Sequence, residues 1–497
     1  MNVASIIEDH PSSAAALVSR GDITTYGVLR RQVGELRGGL TRLGLGAGDR
    51  VAVVSANNWF FVVSYLAVTG IGGVVVPLNP ASPTAELAKE LGAVGARAAV
   101  VGPSGRPAAD RLDRGALGVE FLIATERAST PESMSFEDLL GGPPAPLVER
   151  QDDDLAALMF TSGTAGAPKA AMLTHGNLRA NLENIQHHPD RRILSSDVCL
   201  GVLPMFHIFG LNVVLGLALH GGASVVLVER FDPVSALETI ATLGVTVVAG
   251  APPMYTSWLG LPRDGSNPFA SVRLAVCGAA PLGADVVDAF RERYGITIAE
   301  GYGLTEAAPT VTSSVAAGAI KPGSIGVPVP GVDVRLVDPD GEDTLAGDAG
   351  ELWVRGANVF AGYWNDPEAT RRALTPDGWL RTGDVAIADD DGYLYIVDRA
   401  KDVIIVSGFN VFPAEVEEAL SEHPGVAEVA VVGVAHPHSG EAVKAYVVPT
   451  PGVHLEEDEL IDFCGQRLAR YKCPSKVMFV RELPHSTSGK VLRRALS

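Results

Sequence analysis

The chain has 497 residues, with 58 acidic against 39 basic side chains and a formal net charge of −19. Such an acidic excess argues against a nucleic-acid partner, because phosphate backbones need basic surfaces. A content of 47% hydrophobic and 20% charged residues is that of an ordinary globular protein. The length exceeds what one core supports, so two or three domains are expected.

Cys199, Cys277, Cys464 and Cys473 form no Cys-x-x-Cys pair. Neither a zinc site nor a disulfide framework is expected, and a reducing, cytoplasmic compartment fits. The opening MNVASIIEDH lacks a basic start and a long apolar core, so no signal peptide is expected.

Along the chain, Thr24-Thr25 precedes a helical run through Val33 to Leu43, which Gly44 closes. Asp49 to Val54 reads as a buried strand, Asn57 as the opening of the next helix, and Gly73 to Leu78 and Ala96 to Val101 as two further strands. This alternation predicts βαβ units and a parallel sheet. Residues 102–150 are poorer in pattern and read as a surface excursion. No Asp, Glu, Lys or Arg occurs from Val51 to Pro83 or from Val198 to Val228. Gly, Pro and Asn interrupt both runs, so buried helix and strand units are expected there and not membrane spans.

The apolar run Ala156 to Phe160 then enters Thr161-Ser162-Gly163-Thr164-Ala165-Gly166-Ala167-Pro168-Lys169. Hydroxyls, backbone N–H groups freed by glycine and one lysine are what a polyphosphate asks for. It is not a Walker A loop, since no Gly-Lys-Ser/Thr ends it. Beyond it the alternation resumes, with strands at Ala223 to Val228, Val245 to Ala249 and Leu274 to Cys277 and a helix from Pro233 to Leu243. Parallel sheets place sites past the carboxyl ends of their strands. Gly278, Ala279 and Ala280 are expected at one such end, and Glu300-Gly301-Tyr302-Gly303-Leu304-Thr305-Glu306 at another. From Gly326 short strands with Gly/Pro/Asp turns (Val334 to Val337, Gly350 to Val354, Tyr393 to Val397) predict a small β-subdomain. After Asp398 an α+β tail is expected. Its helices are Pro413 to Ser421 and Glu457 to Leu468, its strands Ala427 to Val434 and Ala442 to Val448.

Six segments in one order carry a resemblance that covers essentially the whole chain. The Thr161–Lys169 loop resembles the phosphate-binding signature of the adenylate-forming enzymes, with Ala165 and Ala170 standing where the family usually has Thr and Gly. One lost hydroxyl donor should weaken nucleotide contacts by about 1 kcal/mol. The string GYGLTE resembles the family's segment that sets an aromatic on adenine (Tyr302), a threonine on phosphate (Thr305) and a glutamate on Mg²⁺ (Glu306). Trp379 to Asp384 resembles the ribose-binding segment, with Asp384 as acceptor. Asp398 to Asp402 resembles the hinge, with Arg399 toward ribose and phosphate and Lys401 as pivot. Val406 to Pro413 resembles the thiol channel, where Gly408 lets a pantetheine arm pass, and Ser486 to Lys490 resembles the catalytic-lysine motif.

The resemblance implies an α/β fold, with a large N-terminal domain (1–398) of parallel-type sheets plus the β-subdomain. A smaller mobile α+β domain (399–497) would carry the catalytic lysine. It also implies an AMP-forming acid–CoA ligase using ATP, Mg²⁺ and coenzyme A, with no nucleic acid and no transmembrane segment. Peripheral membrane contact, and monomer against homodimer, stay open. His207, in Leu203 to Leu211, is similar to the histidine of acyl- and aryl-CoA synthetases, and the aspartate usual in peptide-synthetase domains is missing. The acid pocket is expected at His207, Phe209, Gly210, Leu211, Gly250 and Gly301, with Gly301 as floor. Gly301 also stands where malonate-type members tend to carry arginine, so an apolar monocarboxylic acid is expected, a medium- to long-chain fatty acid first. An aryl-CoA ligase, a fatty acyl-AMP ligase serving a carrier protein and a non-catalytic nucleotide-binding relative are the alternatives.

Overall fold

The computed structural model describes residues 1–125, 134–161, 169–187, 192–262, 265–280, 282–338, 341–344, 347–399, 404–411, 413–484 and 496. Two large sheets of α/β type dominate them. The first has seven strands. Its centre, Arg50–Val54, Val74–Leu78 and Ala98–Val101, is parallel and buried on both faces, as the charge-free sequence requires. Leu155–Thr161 joins it in parallel, and Lys169–Thr174 returns antiparallel with Thr161 opposite Lys169.

The helix Trp59–Gly70 is buried along nearly its whole length, which accounts for the first uncharged run. It starts one residue later than expected. Asn58 is the cap, accepting from the Phe61 N–H at 3.1 Å. Asn57 instead ties down the loop leading to His207. Its Nδ2 donates to the carbonyls of Gly201 (3.0 Å) and Leu203 (2.7 Å), and its Oδ1 accepts from Met205 N–H (2.9 Å). No helix among the described residues is long and apolar enough to cross a membrane.

Residues 102–150 are not merely a surface excursion. Phe121–Ala124 pairs in parallel with Ala98–Val101, and Phe136 at the start of the Phe136–Leu140 helix is fully buried beside Phe60. Elements of four or five residues are too short to show a period.

The second sheet has nine strands. Ser224–Leu227, Val198–Gly201, Val247–Gly250, Leu274–Cys277 and Ile298–Gly303 run parallel in that order, and the N-terminal strand Ala15–Ser19 adds to Ser224–Leu227. Ile298–Gly303 changes partner midway. Its first half is parallel to Leu274–Cys277, while Gly301 to Gly303 pairs antiparallel with Thr310–Ser313. Glu300 to Gly303 therefore lies within a strand and not in the loop beyond it.

Four antiparallel strands, Val332–Val337, Gly350–Gly356, Leu380–Ala388 and Leu394–Arg399, form the expected β-subdomain. A last five-stranded sheet, from Ile404–Val406 to Lys476–Phe479, packs with the helices Pro413–Ser421 and Glu457–Gly465 around its own core of Val416, Leu420, Val431, Val443 and Leu460.

Candidate functional site

A cavity of about 1100 Å³ lies past the carboxyl ends of Val247–Gly250 and Leu274–Cys277. The small sheet and the C-terminal unit contribute to its walls. Of the nucleotide residues expected from the sequence, Thr161, Lys169, Gly278, Ala279, Ala280, Glu300, Gly301, Tyr302, Gly303, Thr305, Glu306, Asp384 and Gly408 all line it. Ser162, Gly163, Thr164, Gly166, Lys401 and Lys490 lie outside the described residues, as does the Arg399 side chain, although the Arg399 backbone pairs with Asp384.

Among the residues expected to hold nucleotide, Tyr302 Oη donates to Asp384 Oδ2 at 2.6 Å, joining the aromatic and the carboxylate. Glu300 does not reach for ligand with its carboxylate. It is buried and accepts from the N–H groups of Leu282 (3.2 Å) and Gly323 (3.0 Å), clamping two loops together. Glu306 Oε1 accepts from Tyr363 Oη at 2.6 Å, and Lys169 Nζ stands 5.2 Å over the Tyr363 ring. Tyr363 thus connects the lysine to the carboxylate. No spacing in the sequence pointed to it. Among the described residues no three His, Cys, Asp or Glu side chains are grouped to hold a metal. One carboxylate is what Mg²⁺ needs when phosphates and waters complete its shell, so Glu306 fits that ion.

The part of the cavity where the sequence places the acid is built on an unusual element. Phe209–Gly216 is a π-helix, and Phe209, Val213 and, one residue beyond it, Leu217 line the cavity with Ile185, Ile193 and Val329. This revises the expected pocket. Leu211 is fully buried in the core, and Gly250 turns toward Tyr255 and Met254, so neither lines the cavity. Gly210 and Gly301 do line it, but they make room for backbone and not for an acyl chain. A Cβ on Gly210 would fall 2.2 Å from the Pro204 carbonyl oxygen, and one on Gly301 3.1 Å from that of Thr312.

His207 sits between the rings of Phe206 and Phe409, with centroids 4.8 and 4.9 Å away. Its Nε2 is buried with no hydrogen-bond partner among the described residues. Burial first, and then the positive charge of Lys472, push the imidazole down to about 4. A neutral ring is therefore expected from pH 5 upward, and histidine-ring NMR should show no His207 titration there; an inflection near 6.5 would contradict the burial.

Gly408 is the tip of a two-residue hairpin. Val406 pairs with Phe409, and Ser407 and Gly408 take φ of 51° and 85°. A Cβ on Gly408 would come within 3.0 Å of Ala251 Cβ and 3.8 Å of Ala279 Cβ. The C-terminal unit thus brings bare backbone against the strand ends that line the site.

Family comparison matches residues 4–364 to the AMP-binding enzyme domain and 415–490 to the AMP-binding enzyme C-terminal domain. A feruloyl-CoA synthase from an Amycolatopsis species is 40% identical over 97% of this chain and 94% of its own. A long-chain-fatty-acid–CoA ligase from Salmonella typhimurium is 36% identical over 97% and 91%. Three solved structures each match all of this chain. An amide bond synthetase from Marinactinospora thermotolerans aligns over 99% of its chain with a TM-score of 0.89 at 32% identity. An o-succinylbenzoate CoA synthetase from Bacillus subtilis, bound with its product analogue, aligns over 98% with a TM-score of 0.85 at 27% identity. ATP-bound MatB from Rhodopseudomonas palustris aligns over 98% with a TM-score of only 0.75 at 34% identity. With both domains matched in order and relatives similar from end to end, the chain belongs to the AMP-binding enzyme family as an AMP-forming acid–CoA ligase that uses ATP, Mg²⁺ and coenzyme A.

Proposed function

We propose that the chain activates an elongated, uncharged monocarboxylic acid, with a medium- to long-chain fatty acid as the first reading. A carboxylate oxygen attacks the α-phosphorus of ATP, and pyrophosphate leaves as the acyl–phosphate bond forms. The CoA sulfur then attacks the acyl carbonyl as a thiolate, and the bond to AMP breaks. In this scheme Lys169 holds phosphate, Tyr302 and Asp384 hold the nucleoside, and Lys490 bridges the attacking carboxylate and the α-phosphate. Mg²⁺ held at Glu306 supplies charge neutralisation on the phosphates.

Residues 1–398 and 399–497 act as two units about a hinge, and the arrangement described is the one for transfer to CoA. The packing of Gly408 against Ala251 and Ala279 supports that orientation. So does the higher likeness to the product-analogue-bound structure than to the ATP-bound one, despite its lower identity.

The acid class rests on the apolar wall of Phe209, Val213 and Leu217. The ten steps from His207 to Leu217 rise up to about 15 Å along this wall, and each buried CH₂ contributes about 0.8 kcal/mol. One observation favours an aryl acid as the second reading. Asn184 lines the same cavity, and its Nδ2 is buried without a hydrogen-bond partner among the described residues. An alkyl tail would leave that donor unpaired at a cost of about 1–3 kcal/mol, whereas a ring oxygen such as the feruloyl relative's substrate name implies would satisfy it.

AMP release with hexanoate, dodecanoate, palmitate, ferulate and benzoate, with and without CoA, tests both readings. For a fatty-acid enzyme kcat/KM rises with chain length, Val213→Trp removes palmitate turnover first, and Asn184→Leu is harmless. For an aryl enzyme ferulate leads, and Asn184→Leu costs it about tenfold. AMP release with none of these acids would overturn both.

A further inference from the structure

At the edge of the same cavity, the two units meet through a buried charge cluster. Lys472, in the short turn Arg470–Lys472, extends its ammonium across the boundary to Glu86 Oε1 at 2.7 Å and back to Glu415 Oε1 at 2.9 Å. Glu86 lies on the N-terminal helix Thr84–Val94, and Glu90 follows one turn later. All four side chains are nearly excluded from solvent. The second carboxylate oxygens of Glu86, Glu90 and Glu415 are buried with no hydrogen-bond partner among the described residues.

Such a cluster is a poor source of general stability, since desolvating one ammonium and several carboxylates offsets most of their attraction. Its consequence is orientational. Each carboxyl is tolerable in that setting only while the ammonium is present, so losing one partner strands the others. Glu90 adjusts by staying protonated near neutrality, pushed up to about 8 by burial and by the Glu86 charge.

The cluster is also continuous with the thiol-channel hairpin. Tyr471, next to Lys472, stacks on Phe409 with ring centroids 4.4 Å apart, and Phe409 packs on His207. Phe409 is the neighbour of Gly408. Seating Lys472 against Glu86 therefore seats the hairpin tip against the acid site.

We propose that Lys472 is a positioning residue for the transfer step: paired with Glu86, it latches the C-terminal unit in the orientation that brings Gly408 to the acid site, and it is dispensable for adenylation. The inference rests on reading this arrangement as the transfer orientation.

The test uses the full-length protein, with each half-reaction in single turnover and the best acid from the panel above. Lys472→Met and Glu86→Gln should each slow thioester formation from supplied acyl-AMP about a hundredfold, with pyrophosphate release within about twofold of wild type. The exchanged pair Glu86→Lys with Lys472→Glu should recover much of the transfer rate; the loss confined to one half-reaction is what a purely structural role would not predict. Hydrogen exchange without substrate gives an independent readout. Lys472→Met should raise exchange in the Thr84–Val94 helix, and the exchanged pair should restore protection. Equal loss in both half-reactions, or unchanged transfer and unchanged exchange, overturns the latch. If wild type forms no thioester with any acid while Lys472→Met still deprotects the helix, the ligase reading fails and the interdomain contact stands.

Discussion

Lys490→Ala is expected to cut pyrophosphate release about 10²–10³-fold, while thioester formation from supplied acyl-AMP stays near wild type. The magnitude is that of removing one preorganised donor from a developing anion, about 3–4 kcal/mol. The asymmetry follows from the proposed role: a positive charge between carboxylate and α-phosphate is needed while the acyl–phosphate bond forms. It contributes nothing once acyl-AMP is supplied. Quench-flow measurement of the two half-reactions separates them. Equal loss in both would remove Lys490 from adenylation chemistry and leave it a structural or general binding residue.

Gly408→Leu is expected to have the opposite signature, with pyrophosphate release spared and CoA transfer slowed at least about tenfold. Two physical effects act together. Position 408 has φ +85°, where a side chain costs roughly 1–2 kcal/mol. Its first carbon would already meet Ala251 Cβ at 3.0 Å, before the rest of a leucine is placed. The clash with Ala251 falls only on the orientation in which the hairpin tip sits at the strand ends, so adenylation in another orientation escapes it, while the φ cost stays with the hairpin in either orientation. Circular dichroism controls for folding. Loss of adenylation in a folded variant would argue against two orientations.

Local chemistry makes much of this protein legible in its sequence. The helices Pro233–Leu243 and Pro413–Ser421 were bounded correctly because their boundary signals are local. Asp232 accepts from the Ser235 N–H, Pro233 occupies the first turn, and Gly244 closes with φ 62°. The strand-end strings at Gly278 to Ala280 and Gly301 to Glu306 do converge on one cavity, since a parallel sheet collects its carboxyl ends on one side. The family followed from the order of six motifs, which is a property of the chain alone.

Folding decided what no spacing encodes. Leu211 is expected in the acid pocket as an apolar member of the Leu203 to Leu211 string around His207. In the Phe209–Gly216 π-helix, with Asn212 donating to the carbonyls of Leu178 (3.1 Å) and Ala308 (2.8 Å), Leu211 lies in the core while Val213, and Leu217 just beyond, lie on the wall. Gly210 and Gly301 looked like space for substrate, yet each admits a neighbouring backbone, because what a glycine makes room for depends on what folding packs against it. Tyr363 reaches Glu306 across 57 residues, and Lys472 reaches Glu86 across 386. Those pairings exist only once chain closure has brought distant segments together. Sequence periodicity reports on neighbours within a turn or a strand, and the contacts that orient this site join residues far beyond that range.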